Sequence, residues 1–328
     1  MHCAYKTLIV SLLSLCLSVL TCQFAQARNV TIVSDGRDFS DRLLAAVEVN
    51  DTVFLDGGNG VFVLHHTVVL KHLKDKALIG LNEACLQTEF RLTDEIKSAL
   101  DSMGIRGMST AGKGGVLSNG MRVREEREWR TRQYLIDLYD DQHEHCRSAG
   151  GLQVSHCRNM LIKGLRIQGP GAVDVGGNDL IGMDHSTHIR IEDCHLRDGM
   201  DGNMDIIAQS DSIWVSRCTF GYTELSYDHM NSNLVGAGDG FEADRGLLHV
   251  TYEDCTWLEG CRQRMPMARY GVVRLIRCKW LCTSDFPAVD ARKEAKISIE
   301  DGLFGEGIKV PFRVAEDARC DTINCRFF

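Results

Sequence analysis

One short phrase with apolar residues at every second position recurs along the C-terminal half of the chain. It reads Ile189, Ile191, Cys194 and Leu196, then Ile213, Val215, Cys218 and Phe220. It returns as Val250, Tyr252, Cys255 and Trp257, and as Val273, Leu275, Cys278 and Trp280. Degenerate copies put Leu165, Gly302 and Cys325 in the cysteine slot. Successive slots lie 24 residues apart (194 to 218), 23 (255 to 278), 24 (278 to 302) and 23 (302 to 325), and the 37-residue step from 218 to 255 reads as one turn with an inserted loop. Period-two alternation at constant pitch, without intervening amphipathic helices, predicts short strands stacked on their own copies and argues against a βαβ fold. The expected architecture is all-β, a right-handed parallel β-helix whose equivalent side chains form columns spaced about 4.8 Å apart. The cysteine slot becomes an internal column of thiols acting as small hydrophobes.

Upstream, Asp38 to Val49 carries Phe39, Leu43, Leu44, Ala46 and Val47 on or near one helical face, as expected of a helix capping the open end of the stack. Val53-Phe54-Leu55 and Ala77-Leu78-Ile79-Gly80 read as strands of the first turns. Residues 93–140 break the pattern with helical stretches and the glycine-rich run Gly112 to Gly115, an inserted excursion. Lys6, an apolar run from Leu8 to Leu20 and Ala25-Gln26-Ala27 have the layout of a secretory signal peptide. The expected organisation is a leader over 1–27 and one domain over 28–328, exported to a periplasm or the exterior. The apolar run is shorter than the roughly 20 residues needed to span a bilayer, so no stable membrane span is expected in the mature chain. Thr21 sits where a smaller residue normally precedes a lipidated cysteine, which disfavours an anchor at Cys22.

A composition 44% hydrophobic and 25% charged excludes disorder. The net charge of −8 lacks the basic excess that phosphate-backbone binding requires, so nucleic acid is not an expected partner. Of 14 cysteines, three leave with the leader and eleven remain, an odd number that guarantees an unpaired thiol in the expected monomer. Cys261 and Cys282 both follow the ladder position on neighbouring turns and could form a disulfide. The Cys255/Cys261, Cys278/Cys282 and Cys320/Cys325 spacings are not zinc knuckles.

Two clusters carry candidate chemistry. Glu192, Asp193, Asp198, Asp201 and Asp205 crowd around Gly199 and Gly202. Carboxylates that close repel one another unless a cation sits among them, and hard oxygen donors favour calcium. Alternation puts Asp201 and Asp205 on one face of a strand; a solvated acidic turn is the plainer reading of any one of these residues. The second cluster runs from Gln263 to Gly271, where Arg264 and Arg269 flank Pro266 and can form a cationic site for carboxylates. Two surface arginines in ion pairs are the alternative. On a stacked helix, turns starting near 189, 213, 250 and 273 are neighbours, so acids and arginines can face one groove.

At these residues the sequence resembles polysaccharide lyase family one, the pectate lyases, over most of the mature chain. Asn159 to Ile167, His188 to Cys194, Asp201 to Ile206, Ser210 to Ser216, Leu234 to Asp239 and Arg264 to Arg269 match the family's phrases in order. The resemblance implies calcium-dependent β-elimination of polygalacturonate or pectin, with Glu192, Asp201 and Asp205 as metal ligands, Arg264 taking the C5 proton and Arg269 holding a substrate carboxylate. Glu192 stands in place of the usual aspartate, Asp193 of a histidine and Arg190 of a tryptophan. Asn231 falls at the position of a substrate-binding lysine, for which Arg262, Arg245 or Lys279 could substitute. A pectin lyase acting on methylated polymer, a non-catalytic acidic-glycan binder and a glycoside hydrolase with paired carboxylates are the competing functions.

Overall fold

The computed structural model describes residues 27–104, 123–139, 149–174 and 178–328. All but the last residue of the expected leader, together with Gly112 to Gly115, lies outside them. Among the described residues, strands form three sheets of ten, nine and eight strands, and from the second strand onward each sheet takes every third strand in chain order. One coil runs Thr187–Glu192 in the ten-stranded sheet, His195–Arg197 in the nine-stranded sheet and Gly202–Ile207 in the eight-stranded sheet. The next coil lies on it in parallel, with Ile189 beside Ile213, Leu196 beside Phe220 and Asp205 beside Leu234. The chain is a parallel β-helix.

The recurring phrase occupies the corner between the ten- and nine-stranded sheets. Asp193, Arg217, Asp254, Arg277 and Asp301 each take the left-handed conformation there, with φ of 51–55°. That region is disfavoured for residues with a Cβ by roughly 1 kcal/mol or more. The corner compensates by pairing each amide with the next coil, as in Asp193 N to Ser216 O at 3.0 Å and Arg217 N to Glu253 O at 2.8 Å. Opposite charges then stack along the outside: Arg217 donates to Asp193 at 2.6 Å and Arg277 to Asp254 at 2.8 Å.

Inside the corner Cys194, Cys218, Cys255 and Cys278 are fully buried. Their thiols point at carbonyls of their own and the preceding coil, such as Cys218 Sγ to Ser216 O at 3.3 Å. Cys261 and Cys282 are buried and free, so the disulfide expected between them is not formed; Cys282 Sγ instead lies 3.5 Å from Met265 Sδ. The large apolar slot stacks Trp257 on Trp280 at 5.2 Å, Trp280 on Phe304 at 4.1 Å and Phe304 on Phe327 at 5.0 Å, all within 8° of parallel. Burial of this column, at roughly 25 cal/mol per Å² of apolar surface, gives one coil a favourable seat on the next.

Helix α1 (Ser40–Val49) buries Leu43 and Val47, and Phe39 at its start lies 4.7 Å from Phe62, as expected of a cap on the N-terminal end. The excursion contains α2 (Asp94–Ser102), with the Thr93 hydroxyl capping Ile96 N, and α3 (Val123–Tyr139). Ile96 and Leu100 of α2 and Leu135 of α3 form a second core with Phe90, Val173, Met200 and Tyr227. Tyr227 Oη donates to Asp101 Oδ1 at 2.8 Å and Lys97 Nζ to Glu224 O at 2.9 Å. The excursion thus braces the 222–230 segment, part of the extra length in the 37-residue step.

Candidate active site

Asp201 precedes, and Asp205 lies within, the strand Gly202–Ile207 of the eight-stranded sheet. Asp179 comes from one coil earlier, just before the strand Ile181–Asp184, whose Gly182 pairs with Asp205. A Cβ built on Gly202 would meet Asp179 Oδ1 at 2.6 Å and Asp205 Oδ1 at 3.4 Å, so this glycine keeps open the space between the two carboxyls. Burial pushes the Asp205 carboxyl up to about 7, Asp201 adds to the rise, and the Arg264 guanidinium opposes it. Burial likewise drives Asp179 well above the ordinary carboxylate range, reinforced by Asp205 and Asp201 and again opposed by Arg264. Asp179, Asp201, Asp205 and Arg264 therefore share one electrostatic neighbourhood.

Two oxygens there lack hydrogen-bond partners although buried, Asp179 Oδ1 and Asn231 Oδ1. A buried acceptor without a donor is unfavourable by about 1–3 kcal/mol, more for a charged one. Clustered carboxylates and an orphaned carboxylate oxygen fit a hard divalent cation that accepts several oxygen ligands. His229 closes the cluster: its Nε2 lies 2.7 Å from Asp201 Oδ1 and its Nδ1 3.6 Å from Asp174 Oδ2, with the ring almost wholly buried.

Arg264 takes the left-handed conformation (φ 56°) just before the strand Met267–Arg269, and its carbonyl accepts Asn233 N at 2.6 Å. Arg269 is mostly buried; Nε meets Asp239 at 2.6 Å and Nη1 the Gly236 carbonyl at 3.4 Å. Its pKa is lowered by burial, with Arg264 and Arg292 pushing the same way and Asp239 opposing. Gly236 has φ 97°, and a Cβ there would meet Arg269 O at 2.4 Å, so only glycine fits.

Asn231 is buried, bridges to Gln263 and stands 2.9 Å from His229 Nε2. Among the proposed substitutes for a lysine there, Arg245 is tied to Glu294 at 2.7 Å and Lys279 lies in the nine-stranded sheet. Arg262 is nearer, its amide bonded to Met230 O at 3.1 Å and its half-exposed side chain over the Phe286 ring.

Glu192 is not brought into the acidic cluster. It ends a strand of the ten-stranded sheet and belongs to the corner charge ladder, pairing with Arg190, with Arg217 at 3.3 Å and with Lys163 at 3.5 Å. Asp179, Asp174 and His229 were not among the residues expected from sequence. The missed signal is pitch: on a solenoid the neighbour of Asp201 and Asp205 sits one coil away in number, near 179, whereas Glu192, nearer in sequence, lies on another sheet.

No protein-family profile matches the chain. Among curated proteins it is similar to a probable pectate lyase B of Aspergillus terreus, 30% identical over 165 residues that cover 47% of this chain and 46% of that protein. It is also similar to a pectate trisaccharide-lyase of Thermotoga maritima, 31% identical over 133 residues, covering 38% and 34%. The chain thus spans about half the length of these relatives or less. Solved structures with the same fold include a Bacillus pectate lyase in complex with trigalacturonate, at TM-score 0.57 and 14% identity over 92% of this chain and 82% of that one. Another is Jun a 1, the major allergen of cedar pollen, at TM-score 0.54 and 15% identity over 93% and 80%. By sequence over about half its length or less, and by fold, the chain is similar to proteins named pectate lyases.

Proposed function

We propose that the chain is an exported, calcium-dependent pectate lyase that cleaves polygalacturonate by β-elimination, acting as a monomer over residues 28–328 after loss of a leader. The observation that carries the reading is the gathering of three carboxylates and Arg264 around the space beside Gly202. Similarity to named pectate lyases supports the substrate class.

Asp179, Asp201 and Asp205 would hold the calcium, Asp179 in the place that the resemblance gives to Glu192. Calcium bound there would neutralise charge beside the uronate C5 and so acidify its proton. Arg264 accepts that proton as a neutral guanidine, the C5–H electron pair becomes the C4=C5 double bond, the C4–O bond breaks, and the departing oxygen is protonated by water. A guanidinium's ordinary pKa exceeds about 12, so turnover rises toward alkaline pH. Arg269, held by Asp239 and Gly236, orients a substrate carboxylate, while Asn231 lies against the same site and Arg262 supplies the cation it lacks.

A non-catalytic glycan binder is the second reading, favoured by the neutral Asn231. Incubation with polygalacturonate at alkaline pH, with calcium or with chelator, separates the two. Calcium-dependent growth of unsaturated-uronide absorbance supports the lyase; binding without products supports the second reading, and reducing ends lacking the chromophore indicate hydrolysis.

A further inference from the structure

At the exit of the eight-stranded sheet, three histidines from successive coils stack at left-handed positions. These are His72, His156 and His185, with φ of 56°, 53° and 47°. The His72 and His156 rings are 5.0 Å apart, and those of His156 and His185 4.5 Å apart and nearly parallel. Stacking alone does not require the ring nitrogens to converge, yet they do. His185 Nδ1 lies 3.0 Å and His156 Nδ1 3.6 Å from the same atom, Asp184 Oδ1. All three ligand atoms fall within 4.8 Å of one another.

We propose that His156, Asp184 and His185 form a binding site for a first-row transition-metal dication of the Zn²⁺ class, clipping two adjacent coils together. A tetrahedron with bonds of about 2.0–2.1 Å has edges of about 3.3 Å, and the two nitrogen-to-oxygen separations bracket that value. Two imidazoles and a carboxylate suit such an ion better than the all-oxygen set preferred by calcium. The carboxylate is also pre-oriented: Gln153 Nε2 donates to Asp184 Oδ2 at 2.7 Å and the Ser155 hydroxyl to Oδ1 at 2.8 Å. Such outer partners fix a metal ligand in place. On binding, each imidazole keeps its proton on Nε2, and water completes the shell. The ligands come from two coils, since Ser155 pairs with Asp184 across the sheet and His156 and His185 each follow directly. The ion therefore ties coil to coil and stabilises the folded chain in proportion to its occupancy.

Asp184 lies two residues beyond Gly182, the partner of Asp205, and shares no ligand with the acidic cluster, so the proposal does not rest on the lyase reading. The test is a calorimetric titration of Zn²⁺ into chelator-stripped protein, with Co²⁺ absorbance as a coordination readout and thermal unfolding with and without Zn²⁺. Asparagine tolerates the left-handed conformation, so His156→Asn and His185→Asn are the variants, checked for folding by circular dichroism. One Zn²⁺ per chain is expected, raising the melting temperature, with affinity at least tenfold weaker in either variant and unchanged in Asp205→Asn. No saturable uptake would overturn the proposal. So would wild-type uptake by the double histidine variant, which would point to other surface histidines such as His65 and His66.

Discussion

Replacing Asp205 by asparagine removes the carboxyl whose ionisation the fold resists most legibly. Burial and Asp201 raise it to about 7 in the folded chain, against about 3.9 in an unfolded one. Between those values the folded state holds the proton more tightly, so stability falls as pH rises from about 4 through about 7. Three units at about 1.4 kcal/mol each set the loss at about 4 kcal/mol at most. Asp179, raised for the same reasons, adds in the same direction. Urea unfolding in chelator across about pH 3 to 8 (about one unit on either side of the transition) reads the effect as wild type minus Asp205→Asn. The wild type is expected to lose ground steadily with rising pH, and calcium, which favours the ionised carboxylates, is expected to return it. A difference that stays flat with pH, or that grows in favour of the wild type, would refute the buried acidic cluster.

Four further outcomes follow from the same geometry. Arg264→Lys should abolish product formation on polygalacturonate while leaving the melting temperature within a degree or two (about ±0.5 kcal/mol), because the role proposed for the side chain is proton transfer and it is only partly buried. Gly202→Ala should weaken calcium binding by an order of magnitude or more (about 1.4 kcal/mol per tenfold), since its Cβ would press on Asp179 Oδ1 at 2.6 Å; isothermal calorimetry reads it. Glu192→Ala should leave turnover intact yet destabilise the fold by about 1–3 kcal/mol, as it strips a buried carboxylate from Arg190, Arg217 and Lys163. Trp280→Ala should destabilise by about 3–5 kcal/mol in chemical denaturation, opening a hole between Trp257 and Phe304.

The fold was legible because a solenoid writes its pitch into the sequence. Each coil meets the same environment, so Cys194, Cys218, Cys255 and Cys278 recur at one register, as do Leu196, Phe220, Trp257 and Trp280. The capping helix and first strands were readable from ordinary amphipathicity, with boundaries shifted by only a few residues. Part of the site was legible too, since Asp201 and Asp205 alternate along one strand and Arg264 and Arg269 flank one bend. Asp179 was hidden because its partners lie one coil ahead, across Gly202. Glu192 shows the converse. It sits among acids in the sequence, but the left-handed residue Asp193 turns the chain a corner, so Glu192 and Asp205 end on different sheets. His229 arrives from the extra length of the 37-residue step, where the repeat supplies no register to read.

Calcium titration of Asp179→Asn beside Glu192→Gln tests most directly which acids hold the proposed metal. Loss of calcium binding and of turnover in Asp179→Asn, with both retained in Glu192→Gln, is the predicted result. The reverse pattern would contradict the assignment and return the metal to the corner of the solenoid.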